Sequence, residues 1–173
     1  LFILSCGFFF FFLARHIAGG EMSYTYLGPG SNANSGLYRI TLRLYRDCQS
    51  SGALLDNPAA ITIYQNGVSG IYNNLSVNLT RTDVVQLSTP GPCIDNAPIV
   101  CYEIGFYITD VQLPFTTNGY TIAYQRCCRI ENISNVQNSS NTGGTYTATV
   151  PGLNTSPVAP RNSSPVFNGS DTV

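Results

Sequence analysis

The sequence predicts an all-β fold, an antiparallel β-sandwich of about eight strands, and three observations carry that prediction. Apolar and polar residues alternate with a period of two over many short stretches, the pattern of strands with one face buried. Clusters of Gly, Pro, Asn and Asp divide these stretches at spacings of about ten residues or more, with no amphipathic helical pattern between them. The chain also carries 11 tyrosines and many threonines, residues suited to a pleated surface. A small β-barrel is the alternative closure.

The elements follow in order. Glu21 to Leu27 (EMSYTYL) reads as a strand, ended by the loop GPGSNANSG. The next stretch, LYRITLRLYRDC, alternates throughout. It directs Tyr38, Ile40, Leu42 and Leu44 to a core and Arg39, Thr41, Arg43 and Tyr45 outward. Ala60 to Tyr64 is a short strand behind the turn residues DNPA. NLSVNLT places Leu75, Val77 and Leu79 on one face, and DVVQLS is a further strand. VCYEIGFYITDV stacks Tyr102, Ile104, Phe106 and Ile108 on one face. GYTIAYQRCCR offers Tyr120, Ile122 and Tyr124, and GTYTATV closes with Tyr146, Ala148 and Val150.

Organisation outside the strands is equally readable. Residues 1–14 form one apolar run, LFILSCGFFFFFLA, of the length of a signal-peptide core and too short to span a bilayer comfortably. We read it as a secretory signal peptide whose start lies upstream, so that no membrane span is expected after cleavage. Residues 15–150 form the sandwich domain. Residues 151–173, rich in Pro, Ser, Thr and Asn, read as a linker to a downstream domain. Charged residues make up 10% of the chain and the net charge is −1. No basic field exists to hold nucleic acid or an anionic membrane.

Export makes disulfides the default state of the cysteines. Five follow the signal peptide: Cys48, Cys93, Cys101, Cys127 and Cys128. Counting parity from the strand interiors puts Cys48 and Cys128 on the core face, which suggests a bridge between them. Arg46 and Arg126 share that parity, so a bulge could exchange Cys128 for Cys127. Cys93 and Cys101 flank the short loop IDNAPIV and form a second candidate bridge. Cys127 is then left unpaired or bonded to another chain. Adjacent cysteines in a strand point to opposite faces, so a redox couple is not expected, and zinc-type spacing is missing.

Catalytic constellations are thin. The only histidine, His16, sits at the processing boundary, which excludes Ser-His-Asp and Cys-His chemistry. Paired-carboxylate hydrolysis stays formally open, although most carboxylates lie beside turns. Asp56-Asn57-Pro58 and Asp95-Asn96 carry oxygens that suit Ca²⁺, but no loop spaces its ligands regularly, and turn capping is the favoured role. No cofactor and no metal is expected. Arg39, Arg43 and Tyr45 make the best outward stripe, a possible face for glycans or proteins; such rows are commonly cross-strand pairs on a solvated sheet.

Five stretches together carry a resemblance: HIAGGEMSYTYLG, YRITLRLYRDC, DNPAAITIY, GYTIAYQRCCR followed by I-x-N, and TGGTYTATVPG running into NSSPVF. Their order and spacing resemble the N-terminal domain of large Bacteroidota surface proteins. Those proteins continue into PKD-like repeats and a gliding-motility-associated C-terminal domain, the export signal of type IX secretion. The resemblance covers roughly residues 16–167, with YRDC and QRCCR its most specific pieces. It implies a secreted or cell-surface, non-catalytic module of immunoglobulin or PKD-like type within an adhesin-like chain. It supplies no ligand and no catalytic residues. A saccharide-binding domain attached to a secreted enzyme is the alternative expectation.

Overall fold

The computed structural model describes residues 17–86, 100–131 and 133–165. Two antiparallel four-stranded sheets pack face to face, and no barrel closes. The strands are β1 (Ile17–Pro29), β2 (Ser35–Asp47), β3 (Ala59–Gln65), β4 (Asn73–Val77), β5 (Leu79–Gln86), β6 (Cys101–Pro114), β7 (Tyr120–Arg126) and β8 (Gly144–Val150). The first sheet runs β1-β2-β6-β5 and the second β4-β3-β7-β8. The segment read as the signal peptide and the residue Cys93 lie outside the described residues.

The alternation in β2 is realised residue by residue. Tyr38, Ile40, Leu42 and Leu44 are buried between the sheets, while Arg39 and Arg43 are exposed on the outer face. They meet Ile61 and Ile63 of β3, Tyr120, Ile122 and Tyr124 of β7 and Val150 of β8 in a single core. Burying an aliphatic or aromatic side chain contributes roughly 1.5–3 kcal/mol, so the period-two pattern fixes which face turns inward. NLSVNLT and DVVQLS divide differently from the expectation. Asn78 breaks the run, so Leu79 belongs to β5 and the chain passes there from the second sheet to the first.

β6 is apolar on both faces, and this blurs its alternation. Its core face is built from Tyr107, Val111 and Leu113. Tyr102, Ile104, Phe106 and Ile108 share the opposite face, opposite Asp47, Tyr45, Arg43 and Thr41 of β2. Gly105, which faces the core, is needed for a close approach: a Cβ there would stand 2.5 Å from Leu55 Cδ1. Gly119 allows the β6–β7 connection to turn back at φ +71°, a conformation that side chains disfavour.

The stretch expected to be a linker is, in its described part, packed on the sandwich. Residues 159–161 form a 3₁₀ turn in which Pro160 is buried. The buried Tyr38 hydroxyl donates to the Pro160 carbonyl at 2.6 Å. Ser164 exchanges bonds with β1: its Oγ accepts from the Tyr24 amide at 3.0 Å, and its own amide donates to the Tyr24 carbonyl at 2.8 Å. The Tyr26 amide donates to Ser163 Oγ at 2.9 Å. The returning chain thereby satisfies part of an edge that would otherwise be open. Hydroxyl side chains, which made the segment look like a linker, are the groups that dock it.

Candidate functional site

Two regions collect the residues singled out in the sequence: the outer face of the first sheet, and the end of the sandwich where the cysteines lie. On the outer face, register sets the partners. Arg39 lies opposite Asp110, and Arg43 opposite Phe106 on one side and Glu21 on the other. Arg39 donates to both carboxylate oxygens of Asp110, at 2.8 and 2.9 Å. That fork holds the Asp110 carboxyl below its ordinary range. Arg43 pairs with Glu21 at 2.7 Å. Phe106 is nearly buried although it faces out, because Arg81 and Arg43 lie over its ring at 4.0 and 5.4 Å from the centroid. Guanidinium stacking of this kind is modestly attractive. Tyr45 is half-buried beside this group, and burial followed by the Glu21 charge pushes its hydroxyl pKa up. The stripe Arg39, Arg43 and Tyr45 is thus a cross-strand network whose charges are already partnered.

At the cysteine end, the pairings differ from the expectation. Cys48 bonds to Cys101, not to Cys128, and the two Cα atoms are 5.4 Å apart. Cys48 sits one residue past the end of β2, where strand parity no longer applies. Its neighbour there is the first residue of the adjacent strand β6, and its amide donates to the Cys101 carbonyl at 3.2 Å. The Cys93–Cys101 bridge is excluded by the same bond. Cys127 is not a spare thiol, since it bonds to Cys128. Both follow the last residue of β7, so the opposed directions of strand neighbours do not hold there.

The charges that share the core parity of these strands form a polar plug at this end. Arg46, 7% exposed, donates to the carbonyls of Ser50, Gly52 and Ala53 at 2.8, 3.3 and 3.1 Å. It also reaches Glu103, directly opposite on β6, at 3.4 Å. Arg126 pairs with Asp56 and donates to the Leu54 carbonyl. Burial lowers its pKa from the usual guanidinium value. Asp56 is a hub between the sheets: its carboxylate also accepts from Tyr124 of β7, and its carbonyl from Tyr107 of β6 at 2.7 Å. Asn57 Oδ1 accepts the Leu79 amide at 3.0 Å. Asp56 and Asn57 therefore anchor their loop through contacts distant in sequence, where capping of their own turn was expected. Buried charges persist only when paired and hydrogen-bonded. Arg46 meets four acceptors, while Arg126 meets two and leaves its Nε without a partner among the described residues.

A cleft of about 540 Å³ opens beside the plug, lined by Asp47, Gln49, Ser50, Gly52, Ile130 and Glu131 among others. Among the described residues, no group of three or more His, Cys, Asp or Glu side chains could hold a metal ion, and no helix is long and apolar enough to cross a membrane. Sequence reasoning missed the roles of Arg46, Arg126 and Asp56. The signal was present: two arginines at core parity, each within two residues of a cysteine at a strand end.

Fold and site together define a disulfide-bonded β-sandwich with a polar plug at one end. Compared with family models, with curated proteins and with solved structures, the chain matches none.

Proposed function

We propose that this chain is a non-catalytic extracellular module, structural or adhesive, of a larger surface protein associated with gliding motility or adhesion. The observation that carries the reading is the Cys48–Cys101 disulfide joining the paired strands β2 and β6, a bond suited to an oxidising compartment. Its support is threefold. The apolar run of residues 1–14 has signal-peptide character. The charged side chains of both regions serve cross-strand and loop contacts, the economy of a scaffold. The stretches resembling Bacteroidota surface proteins contain the plug arginines and three of the bonded cysteines, Cys48, Cys127 and Cys128. Downstream domains of the same chain, and surface glycans or proteins, are the partners this reading implies. A second reading, a saccharide-binding domain carried by a secreted enzyme, is favoured by the uncharged outer face of the second sheet.

The test is attachment by the whole chain. Beads coated with the oxidised protein should adhere to cells or to extracellular matrix more than uncoated beads, and adhesion should fall when soluble protein competes. Hydrolysis of a polysaccharide or peptide by the purified chain, lost in Glu103→Gln or Asp110→Asn, would overturn the non-catalytic reading.

A further inference from the structure

The outer face of the second sheet has a chemistry unlike that of the first. Alternate residues of β8 put Thr145, Thr147 and Thr149 outward and exposed, opposite Gln125, Ala123 and Thr121 of β7. β3 continues the face with Thr62 and Tyr64, and the edge strand β4 adds an amide and a hydroxyl, Asn74 and Ser76. Among the described residues of these four strands, no outward side chain is charged at neutral pH. The outer face of the first sheet, by contrast, carries three arginines ion-paired with Asp110, Glu21 and Asp83. A shallow depression of about 220 Å³ lies in the second face, lined by Ala60, Thr62, Tyr64, Ala123 and Gln125. The two alanines leave room at its floor, and Tyr64, 38% exposed, stands at its side.

We infer that this face binds a neutral polysaccharide chain, an inference resting on the adhesive reading above and naming its ligand class. An acidic polymer would meet no opposing charge here, and a protein partner would meet no apolar centre of the kind interfaces bury. A pyranose offers what the face lacks and accepts what it has. Its apolar C–H face stacks on an aromatic ring such as Tyr64, and its hydroxyls exchange hydrogen bonds with Gln125 and the threonines. The β8 threonine hydroxyls repeat about every 7 Å along the strand, and Thr149, Thr121 and Tyr64 form a row across β8, β7 and β3 at about 5 Å between strands. Such a two-dimensional array suits a polymer with repeating hydroxyls better than a single small molecule.

The test is affinity electrophoresis of the whole oxidised chain through gels containing neutral polysaccharides (β-glucan, xylan, mannan) or acidic ones (alginate, pectin). The expected result is retardation by at least one neutral polymer, unchanged at high salt because no ion pairs are involved. Tyr64→Ala should weaken binding about two- to tenfold, the range of a lost stacking contact. Ala60→Glu, which fills and charges the depression, should abolish it, while Arg43→Ala leaves it unchanged. Both face positions are exposed, and circular dichroism checks that the variants fold. Binding lost in Arg43→Ala but kept in Tyr64→Ala and Ala60→Glu would overturn the inference, as would retardation by acidic polymers alone. If no polysaccharide binds while coated beads still adhere, the ligand class is wrong and the adhesive reading stands. Failure of both assays would remove the adhesive reading as well.

Discussion

Replacing Arg46 with methionine keeps the aliphatic stem and removes the guanidinium from the plug. Three carbonyls, of Ser50, Gly52 and Ala53, lose their donor, and Glu103 loses its partner. Each hydrogen bond to a charged group is worth about 1.5–3 kcal/mol when the acceptor stays dry. Ser50 and Gly52 line the open cleft, so water reaches their carbonyls and cuts the loss to about 1 kcal/mol apiece. With Glu103 one quarter exposed, its lost pairing adds about 1 kcal/mol. With the Ala53 carbonyl, which does not line the cleft, at about 1.5–3 kcal/mol, the sum is about 4.5–6 kcal/mol, a shift of roughly 2–3 M in the urea midpoint at an m-value of about 2 kcal/mol/M. Equilibrium urea unfolding of the oxidised chain measures it, with Arg39→Met as the exposed control expected to shift the midpoint far less. A loss below about 1 kcal/mol in Arg46→Met, on the scale of a surface pair, would refute the claim that this arginine holds the β2–β3 loop.

Other outcomes follow from the same contacts. A non-reducing peptide map should link the Cys48 peptide to that of Cys101 and find Cys127 and Cys128 bonded within one peptide; a Cys48–Cys128 linkage would contradict the fold. Cys48→Ser with Cys101→Ser should cost about 4 kcal/mol from the lost loop constraint in the chain-entropy model, read as a lowered melting temperature. Tyr107 and Tyr120 have pKa values pushed up to about 12 by burial, and Tyr38 and Tyr124 are raised further. The folded chain therefore keeps protons that the unfolded chain releases above pH 10. Stability contributed by these groups is intact below pH 10 and falls between about pH 10 and 12, by about 1.4 kcal/mol per pH unit for each tyrosine. Tyrosinate absorbance and circular dichroism should change together in that window; smooth titration of every tyrosine with native dichroism retained would disprove it. Truncation after residue 155 should remove hydrogen-exchange protection from the Tyr24 and Tyr26 amides, which the Ser164 and Ser163 hydroxyls cover.

How much was legible in the sequence depended on whether a residue sat inside a strand. From Tyr38 to Tyr45 in β2 each outward position is polar or aromatic-polar and each inward one apolar, so faces could be assigned directly. β6 resisted because Phe106 and Ile108 point outward, and Phe106 is covered by arginines from β2 and β5 that no local pattern connects to it. Beyond Asp47 and Arg126 the strands end, and parity ceases to say where a side chain goes. The pairing of Cys48 was lost there, for it depends on which strand lies beside β2. Arg46 and Arg126 looked like defects in the core pattern because a buried charge needs partners. Those partners, the carbonyls of an irregular loop, have no signature in the alternation. The docked tail was hidden for a similar reason: its anchors are two serines and one proline carbonyl.

On the adhesive reading proposed above, the Cys48–Cys101 bond has a mechanical meaning. It closes a loop of 53 residues containing β3, β4 and β5. When the two ends of the chain are pulled, load passes across the sulfurs and never through that loop. At about 3.4 Å per extended residue, roughly 180 Å of contour length is withheld from stretching. Three of the eight strands cannot be drawn out under tension while the bond is intact, whatever happens to the others. An oxidised chain is therefore a short tether and a reduced one a longer, weaker tether, a difference that single-molecule extension would read directly as contour length.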